Sequence, residues 1–336
     1  MNTKIFTEKE IKQASSLLKQ GELLGFPTET VYGLAANGLS IEAVKKIYEA
    51  KGRPSDNPLI LHIASSEWMT RYCTAIPAKA WVLAERFWPG PLTLILPAKN
   101  NVPEIVRGGL STVGLRCPKH PLALALLEET DFPLAAPSGN LSGKPSPTSV
   151  QAMLEDMDGK ISGILDGGDC VVGVESTILT FLPEPCLLRA GGVGVESLEA
   201  VLGEKIFVFS EKTVDKPMAP GMKYRHYAPK AKVTVVQGKD SAQWIANHMT
   251  SGEGVICFQE YEGLFQGFET QKIGKETDFT TQAKAVFSAL RYFDSSEVSH
   301  IWAQCPEEKD LGLAVANRLQ KASGFQIVKI AEEESE

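Results

Sequence analysis

Short apolar runs that alternate with amphipathic segments are the feature that most constrains the fold of this chain. The apolar spacing predicts helices at 8–20, 40–50, 77–87, 121–129 and 150–157, and strands at 23–27, 59–63, 92–96, 113–116, 134–137, 163–166, 176–181 and 186–189. Several of these strands follow one another with no helix between them, and parallel neighbours would need a crossover there. The first part of the chain is therefore predicted to form a mixed α/β sheet.

A second pattern begins after a segment that is rich in proline and glycine. Residues 214–230 have no apolar periodicity and predict a linker, and a smaller open parallel sheet with helices is predicted after it. The predicted boundaries are 1–208 for a first domain, 209–230 for the linker and 231–336 for a second α/β domain. The linker carries Tyr224, Arg225, His226 and Tyr227, which favours a segment that touches a ligand or the first domain over a simple tether.

Composition excludes some classes of protein. The net charge of −7 argues against a protein whose whole surface binds nucleic acid, although a local basic cleft stays open. The six cysteines are widely spaced and form no C-x-x-C pair, so reduced thiols of a cytoplasmic protein are predicted. No run of about 18 apolar residues occurs, so no membrane association is predicted.

Residues 51–59, KGRPSDNPL, form a rigid cationic segment that leads into a predicted strand. Adjacent cations are almost never fully buried without partners, so the segment is predicted to lie outside the core. Lys51 and Arg53 suit the phosphates of a nucleotide, with Asn57 as a polar neighbour and His62 on the strand that follows. The alternative is an ordinary pair of solvated cations.

Further polar residues lie at predicted strand ends and turns. Thr30 follows the first strand, and Arg116 ends an apolar strand, where it needs either a substrate carboxylate or an internal salt bridge. The loop 138–149 offers hydroxyls and a lysine but lacks the spacing of a phosphate-binding P-loop. Turns at 173–178 and 187–193 add Ser176 and Arg189.

These candidate residues are suited to binding anions, and they include no evident nucleophile. No G-x-S-x-G or H-E-x-x-H motif is present in the sequence. Such a set of residues is typical of a reaction in which the substrates supply the nucleophile while the protein supplies position and charge, as in nucleotidyl transfer.

Seven ordered motifs resemble those of the YrdC-like threonylcarbamoyl-AMP synthases. They are PTETVYGL (27–34), KGRPSDNPL (51–59), PGPLT (89–93), VGLR with a proline two residues later (113–118), PSGNLSGKPSPT (137–148), GVESTI (173–178) and LLRAGGV (187–193). The segment PGMKYRHYAP (220–229) and the domain after it are similar to the long, two-domain form. The resemblance implies a twisted mixed sheet with a concave active-site cleft, followed by a smaller Rossmann-like domain.

The resemblance also implies an activity. L-threonine, bicarbonate and ATP would give L-threonylcarbamoyladenylate and pyrophosphate, for the threonylcarbamoyladenosine modification of ANN-decoding tRNAs. Mg²⁺ is expected with ATP, held mainly by phosphate oxygens and water rather than by protein ligands, and no tightly bound organic cofactor is expected. The product would pass to the tRNA threonylcarbamoyl transferase complex, and direct contact with tRNA is compatible with the reaction but not required.

Site residues are carried over from the resemblance motif by motif. The residues implied for ATP are Lys51, Arg53, Asn57, Thr112, Ser138, Ser146 and Arg189, of which Lys51 and Arg53 are the implied catalytic pair. Those implied for L-threonine are Thr30, His62, Arg116, Ala136 and Ser176, with Arg116 on the carboxylate. The linker residues Tyr224, Arg225, His226 and Tyr227 would close over the site.

Two other functions stay open at this point. A non-enzymatic RNA-binding module would use the same fold, although the net charge of −7 counts against it. A carbamoyltransferase component related to hydrogenase maturation is the other alternative, although the chain lacks the additional modules of that system.

Overall fold

The computed structural model of this protein describes residues 2–209 and 226–330. The chain divides into two compact units. The first unit comprises Met1–Ser142 and Ser146–Tyr224, and the second comprises Gly143–Pro145 and Arg225–Glu336. Most of the predicted linker, including Tyr224 and Arg225, lies outside the described residues, so the predicted boundaries of the linker stay predictions.

The first unit is built around one large sheet. Its strands are β1 (Lys4–Phe6), β2 (Leu24–Phe26), β3 (Gly33–Asn37), β4 (Ile60–His62), β5 (Leu92–Pro97), β6 (Thr112–Arg116), β7 (Leu134–Ala135), β8 (Gly163–Leu165), β9 (Thr177–Thr180), β10 (Cys186–Arg189) and β11 (Phe207–Val208). They are ordered β1-β8-β2-β3-β7-β4-β6-β5-β9-β10-β11. The sheet contains both parallel pairs, such as β4 with β6, and antiparallel pairs, such as β5 with β6. The predicted mixed sheet is confirmed.

Eight α-helices accompany this sheet in the part of the first unit that the structure describes. They are α1 (Ile11–Lys19), α2 (Ile41–Lys51), α3 (Met69–Tyr72), α4 (Ala78–Phe87), α5 (Glu104–Arg107), α6 (Pro121–Thr130), α7 (Val150–Met157) and α8 (Val195–Leu202). One core cluster joins Leu18 of α1 and Leu126 of α6 to Phe26 of β2 and Leu134 of β7. Burial of this apolar surface fixes the helices against the strands that carry the site.

Helix α2 shows how local sequence delivers a functional side chain. Ser40 caps the amino end, because its hydroxyl accepts a hydrogen bond from Ala43 N at 3.3 Å. Val44 and Ile47 lie on the buried face of the helix. Gly52 ends it with φ of 60°, a left-handed conformation that glycine adopts without steric cost. The helix therefore ends at Lys51, and this cation stands at its carboxyl end.

The second unit contains a smaller sheet in which every pair is parallel. Its strands are β12 (Lys232–Gln237), β13 (Glu253–Cys257), β14 (Glu269–Lys272), β15 (His300–Gln304) and β16 (Ile327–Lys329), in the order β14-β13-β15-β12-β16. Its helices are α9 (Ser241–His248), α10 (Phe279–Tyr292) and α11 (Leu311–Ala322). The predicted second parallel α/β domain is confirmed.

Several elements were not predicted from the sequence. They are the strands β1, β3, β11 and β14 and the helices α3, α5 and α8. Strand β3 reads Gly-Leu-Ala-Ala-Asn, which has little β propensity, and its pairing with β2 and β7 determines its conformation. The two exposed residues of β11 show neither apolar periodicity nor a buried run.

Candidate active site

Parallel pairing of β4 with β6 places two predicted site residues side by side. The register sets His62 opposite Arg116, and Ile63 N beyond it donates a hydrogen bond to Arg116 O at 2.9 Å. Paired residues of neighbouring strands project from the same face of a sheet. Both side chains are buried, so a histidine and a guanidinium share one enclosed region at the carboxyl ends of two strands.

Arg116 is held by a carboxylate from the motif PTETVYGL (27–34). Its Nη2 donates to Glu29 Oε2 at 2.7 Å, and the two side chains are 5% and 3% exposed. Its Nε donates to Gly90 O at 3.4 Å. The internal salt bridge foreseen as an alternative is therefore formed. Neither contact uses Nη1, so a role for Arg116 at a substrate carboxylate stays a prediction.

Thr30 lies next to this ion pair and is itself fully buried. Its hydroxyl is 2.8 Å from the hydroxyl of Thr28, which also donates to Val31 O at 2.7 Å. These bonds fix the turn between β2 and β3. The turn that these hydroxyls fix also brings Glu29 to Arg116.

His62 is neutral at physiological pH. Burial lowers the pKa of this imidazole from 6.5 to about 3, and the positive charge of Arg116 acts in the same direction. Its ring packs edge-on against Phe26, with centroids 5.3 Å apart. Nδ1 is buried and has no hydrogen-bond partner among the described residues. A neutral imidazole with an unused nitrogen suits a hydroxyl or an amine of a ligand.

Ser176 is the centre of a second group of contacts. Its hydroxyl is 2.8 Å from the hydroxyl of Thr93 on β5, and it accepts a hydrogen bond from Arg189 Nη2 at 3.2 Å. Arg189 also donates to Ser176 O from Nε and Nη2, at 3.1 and 2.9 Å. A residue predicted for threonine and one predicted for ATP are therefore in direct contact.

Lys51 is buried, which contradicts the prediction that its segment lies outside the core. The side chain is 3% exposed, and Nζ donates to Ser138 O at 2.6 Å and also to Asn140 O. Two backbone carbonyls thus replace the water that the ammonium group loses on burial. Arg53 is half-buried, with Nη2 donating to Pro58 O at 3.2 Å, whereas Asp56 is exposed.

The loop after β7 carries two more residues that are predicted to contact ATP, Ser138 and Ser146. Ser146 is fully buried, and its hydroxyl donates to Glu175 Oε1 at 2.7 Å. Ser138 pairs with Gly33 through an isolated bridge, and its carbonyl accepts from Lys51. The loop is thus attached to β3, to α2 and to the turn at Glu175.

Three other predicted site residues, Asn57, Ala136 and Thr112, lie on or beside the strands β4 and β6. Asn57 is 1% exposed, and its Oδ1 has no hydrogen-bond partner in the described part of the chain. Ala136 N donates to Ile60 O at 3.0 Å, which sets its backbone beside β4. Thr112 begins β6 and Arg116 ends it, so these two residues lie at opposite ends of one strand.

Backbone hydrogen bonds hold four of these segments together: 28–33, 138–148, 172–176 and 189–192. The bonds run from Val172 N to Glu29 O (2.8 Å), Gly173 N to Thr30 O (3.1 Å), Tyr32 N to Pro147 O (2.8 Å), Gly139 N to Tyr32 O (2.8 Å) and Gly192 N to Glu175 O (3.1 Å). Four motifs that are distant in sequence therefore form one site.

Of the four linker residues predicted to close over the site, the two that the structure describes, His226 and Tyr227, belong to the second unit. The Tyr227 ring is buried 5.1 Å from Phe287 and lies beneath the guanidinium of Arg318 at 5.6 Å. His226 is a ring neighbour of Tyr227, at 5.6 Å. Their predicted closure over the site, like that of Tyr224 and Arg225, stays a prediction.

The thiols near the site are not nucleophiles. Burial raises the pKa of Cys117 and of Cys170 to about 12, and the charge of Glu29 adds to the effect. Within residues 2–209 and 226–330, no cluster of three or more histidine, cysteine or acidic side chains could hold a metal ion. None of the described helices is long and apolar enough to cross a membrane.

Sequence reasoning missed two carboxylates and a hydroxyl that complete the site. Glu29 binds Arg116, Glu175 binds Ser146, and Thr93 binds Ser176. All three lie within the quoted motifs, next to or near residues that were singled out. The sequence did contain a signal for Glu29. A buried arginine requires a carboxylate, and Glu29 is the one acidic residue of its motif.

The depressed pKa of His62 predicts a stability loss in acid. The unfolded chain binds a proton near pH 6.5, whereas the folded chain stays neutral down to about pH 3, so stability falls as pH drops through this window. We expect His62→Gln to reduce the pH slope of the unfolding free energy by up to about 1.4 kcal/mol per pH unit. Urea denaturation between roughly pH 4 and pH 7.5 measures it.

His248→Gln is the control for this measurement, because His248 is exposed on α9. The control should keep the slope of the parent chain. An unchanged slope in His62→Gln would mean that the buried imidazole does not titrate as described.

Two family models divide the chain between them. The Sua5/YciO/YrdC model, described as telomere recombination, matches residues 16–191. The model of the threonylcarbamoyl-AMP synthase C-terminal domain matches residues 193–324. A threonylcarbamoyl-AMP synthase of Pyrococcus abyssi is 48% identical, over 96% of both chains. One of Bacillus subtilis is 45% identical, over 96% of this chain and 95% of the relative.

Solved structures give the same result. P. abyssi Sua5 complexed with L-threonine superimposes with a TM-score of 0.91 at 47% identity, over 98% of this chain and 100% of the other. Full-length HypF in a phosphate- and nucleotide-bound form reaches a TM-score of 0.51 at 19% identity, over 96% of this chain and 44% of HypF, a likeness of fold alone. Because both family models match and the relatives align over nearly their full length, the chain belongs to the threonylcarbamoyl-AMP synthase family, in its two-domain form.

Proposed function

We propose that this chain synthesises L-threonylcarbamoyladenylate from L-threonine, bicarbonate and ATP, releasing pyrophosphate and water. The observation that carries the proposal is the buried pair of His62 and Arg116 in register on β4 and β6. A neutral hydrogen-bonding ring beside a fixed cation matches an amino acid that carries both a hydroxyl and a carboxylate. A relative with 47% identity has been solved with L-threonine, which supports the same ligand here.

The substrates would carry the reaction, and the protein would position them. The amine of threonine and bicarbonate form a carbamate with loss of water. A carbamate oxygen then attacks the α-phosphorus of ATP, and pyrophosphate leaves. Thr30, His62, Arg116, Ala136 and Ser176 would hold the amino acid. A site without a protein nucleophile suits this chemistry, because raised pKa values keep Cys117 and Cys170 protonated.

The phosphates would lie along the cationic and hydroxyl-bearing residues. These residues are Lys51, Arg53, Asn57, Thr112, Ser138, Ser146 and Arg189. Their charge would stabilise the negative charge that develops as pyrophosphate departs, which makes this step a nucleotidyl transfer. Mg²⁺ would arrive with ATP, bound mainly by phosphate oxygens and water, since the described residues offer no dedicated cluster of ligands.

The wider setting follows from the chemistry of the product. A mixed anhydride of a carbamate and AMP is an activated group donor, so a threonylcarbamoyl transferase acting on tRNA would consume it. The free thiols of all six cysteines support a cytoplasmic location. Direct tRNA binding is not needed for the step proposed.

Pyrophosphate release tests the function. The full chain is incubated with ATP, and threonine and bicarbonate are omitted in turn. Release that requires both substrates is the expected result. RNA binding with no release under any condition would instead favour the non-enzymatic module, and release without threonine would contradict the proposed substrate.

Arg53→Ala is expected to raise the KM for ATP by roughly 10- to 100-fold, the loss typical of a charge-assisted contact. Nη2 of the half-buried guanidinium donates to Pro58 O at 3.2 Å, so thermal denaturation of the variant is measured beside the kinetics. Steady-state pyrophosphate release with varied ATP measures the effect. Lys45→Ala removes an exposed cation from α2 and should leave the KM unchanged. Wild-type kinetics in Arg53→Ala would exclude the phosphate role.

A further inference from the structure

Glu29 has one carboxylate oxygen that the fold does not use. Oε2 accepts the hydrogen bond from Arg116 at 2.7 Å, whereas Oε1 is buried and has no hydrogen-bond partner among the described residues. The side chain is 3% exposed. Buried carboxylate oxygens are almost always hydrogen-bonded, and an exception points to a ligand or an ordered water that completes the shell.

The groups around Glu29 do not supply that bond. The hydroxyls of Thr28 and Thr30 are paired with each other at 2.8 Å, and Thr28 also donates to Val31 O. The nearby thiols, Cys117 and Cys170, are only weak donors. Arg116 is the cation in contact with Glu29, through the other oxygen. None of these neighbours therefore supplies a donor to Oε1, which leaves that bond to a ligand or to an ordered water.

A contact pair of opposite charges is complementary to an amino acid. The carboxylate and the ammonium group of an α-amino acid are attached to the same carbon atom, so both can face an arginine and a glutamate that touch each other. The carboxylate would take Arg116, whose described contacts leave Nη1 unused, and the ammonium group would take Glu29. Either residue alone would bind only one of the two charged groups of the substrate.

We propose that Glu29 is a specificity-determining residue, whose Oε1 accepts a hydrogen bond from the α-ammonium group of L-threonine while Oε2 keeps Arg116 in place for the carboxylate. This inference rests on the proposed function, since it concerns the same amino-acid site. It adds a selection for α-amino acids over other hydroxylated carboxylates, which Arg116 and His62 alone would accept equally.

Two ligands that differ in the ammonium group test the proposal. L-threonine and 3-hydroxybutyrate both carry a carboxylate and a β-hydroxyl, but 3-hydroxybutyrate lacks the amine. Each is titrated against the full chain and against Glu29→Gln by calorimetry or ligand-observed NMR. We expect Glu29→Gln to weaken threonine roughly 10- to 100-fold and to change 3-hydroxybutyrate by no more than about twofold. Arg116→Ala should weaken both ligands.

The alternatives give different results. Equal weakening of both ligands in Glu29→Gln would mean that Glu29 acts only by holding Arg116, and no change in either would mean that Oε1 faces water. Both outcomes overturn the proposal. Retained binding of 3-hydroxybutyrate also reports that the variant is folded. If Glu29→Gln fails to fold, Glu29→Asp keeps the charge, shortens the reach and should show the same selective loss.

Threonine binding by the parent chain, without any substitution, tests the proposed function. A parent chain that binds no threonine would overturn both the function and this inference. A parent chain that binds threonine, together with a Glu29→Gln variant that discriminates no less well, would overturn the inference and leave the function standing.

Discussion

Replacing Lys51 by methionine is expected to reduce pyrophosphate release by about 100-fold or more, because two carbonyl oxygens lose a charged donor at once. Nζ donates to Ser138 O and Asn140 O, in the loop that also carries Ser146. Each carbonyl left buried without a donor costs about 1–3 kcal/mol, which the loop can recover only by moving. Steady-state kinetics and thermal denaturation of the variant measure the two consequences.

Lys46→Met is the matched control for this experiment. Lys46 lies on the same helix, and its Nζ also donates to a backbone carbonyl, Gly21 O at 2.8 Å, and pairs with Glu22 at 2.9 Å. It loses a comparable set of bonds away from the site, so a modest stability loss with normal kinetics is expected. Normal kinetics in Lys51→Met as well would mean that neither the loop contact nor a phosphate contact of Lys51 matters.

The burial of Lys51 shows where reasoning from the sequence was limited. The composition of residues 51–59 predicted a cationic segment that leads into a strand, and β4 does follow it, while the alternation of apolar runs predicted the two sheets. Two of the partners of Lys51 are carbonyls 87 and 89 positions away. No local pattern encodes such a contact, so an ammonium group that looked solvated is instead enclosed by a distant loop.

The partner of Arg116 could be predicted from the sequence only in part. The sequence indicated that a half-buried arginine on an apolar strand needs an anion, and it left a substrate or an internal carboxylate as alternatives. The structure supplies Glu29, which is 87 positions away. Local periodicity predicts strands β4 and β6, but only their pairing sets His62 opposite Arg116. The parts of the site could be predicted, whereas their mutual contacts depend on the sheet order.

Gly191→Ala is the second substitution that we expect to have a large effect on the site. A Cβ at this position would lie 2.3 Å from Glu175 O, Ser176 C and Thr177 N, all of them backbone atoms. Backbone cannot rotate away as a side chain can, so the chain near Ser176 must shift. We expect a fall in Tm of roughly 5–10 °C and a loss of pyrophosphate release of about tenfold or more.

The displacement should affect the binding of both threonine and ATP. Ser176 is held by Thr93 and by Arg189, so a shift of its backbone breaks contacts with both. Gly263→Ala is the control, because nothing lies within 4 Å of a Cβ built there, and it should keep both the Tm and the kinetics of the parent chain. If Gly191→Ala matched this control, the close approach of the two turns would not be what sets the position of Ser176.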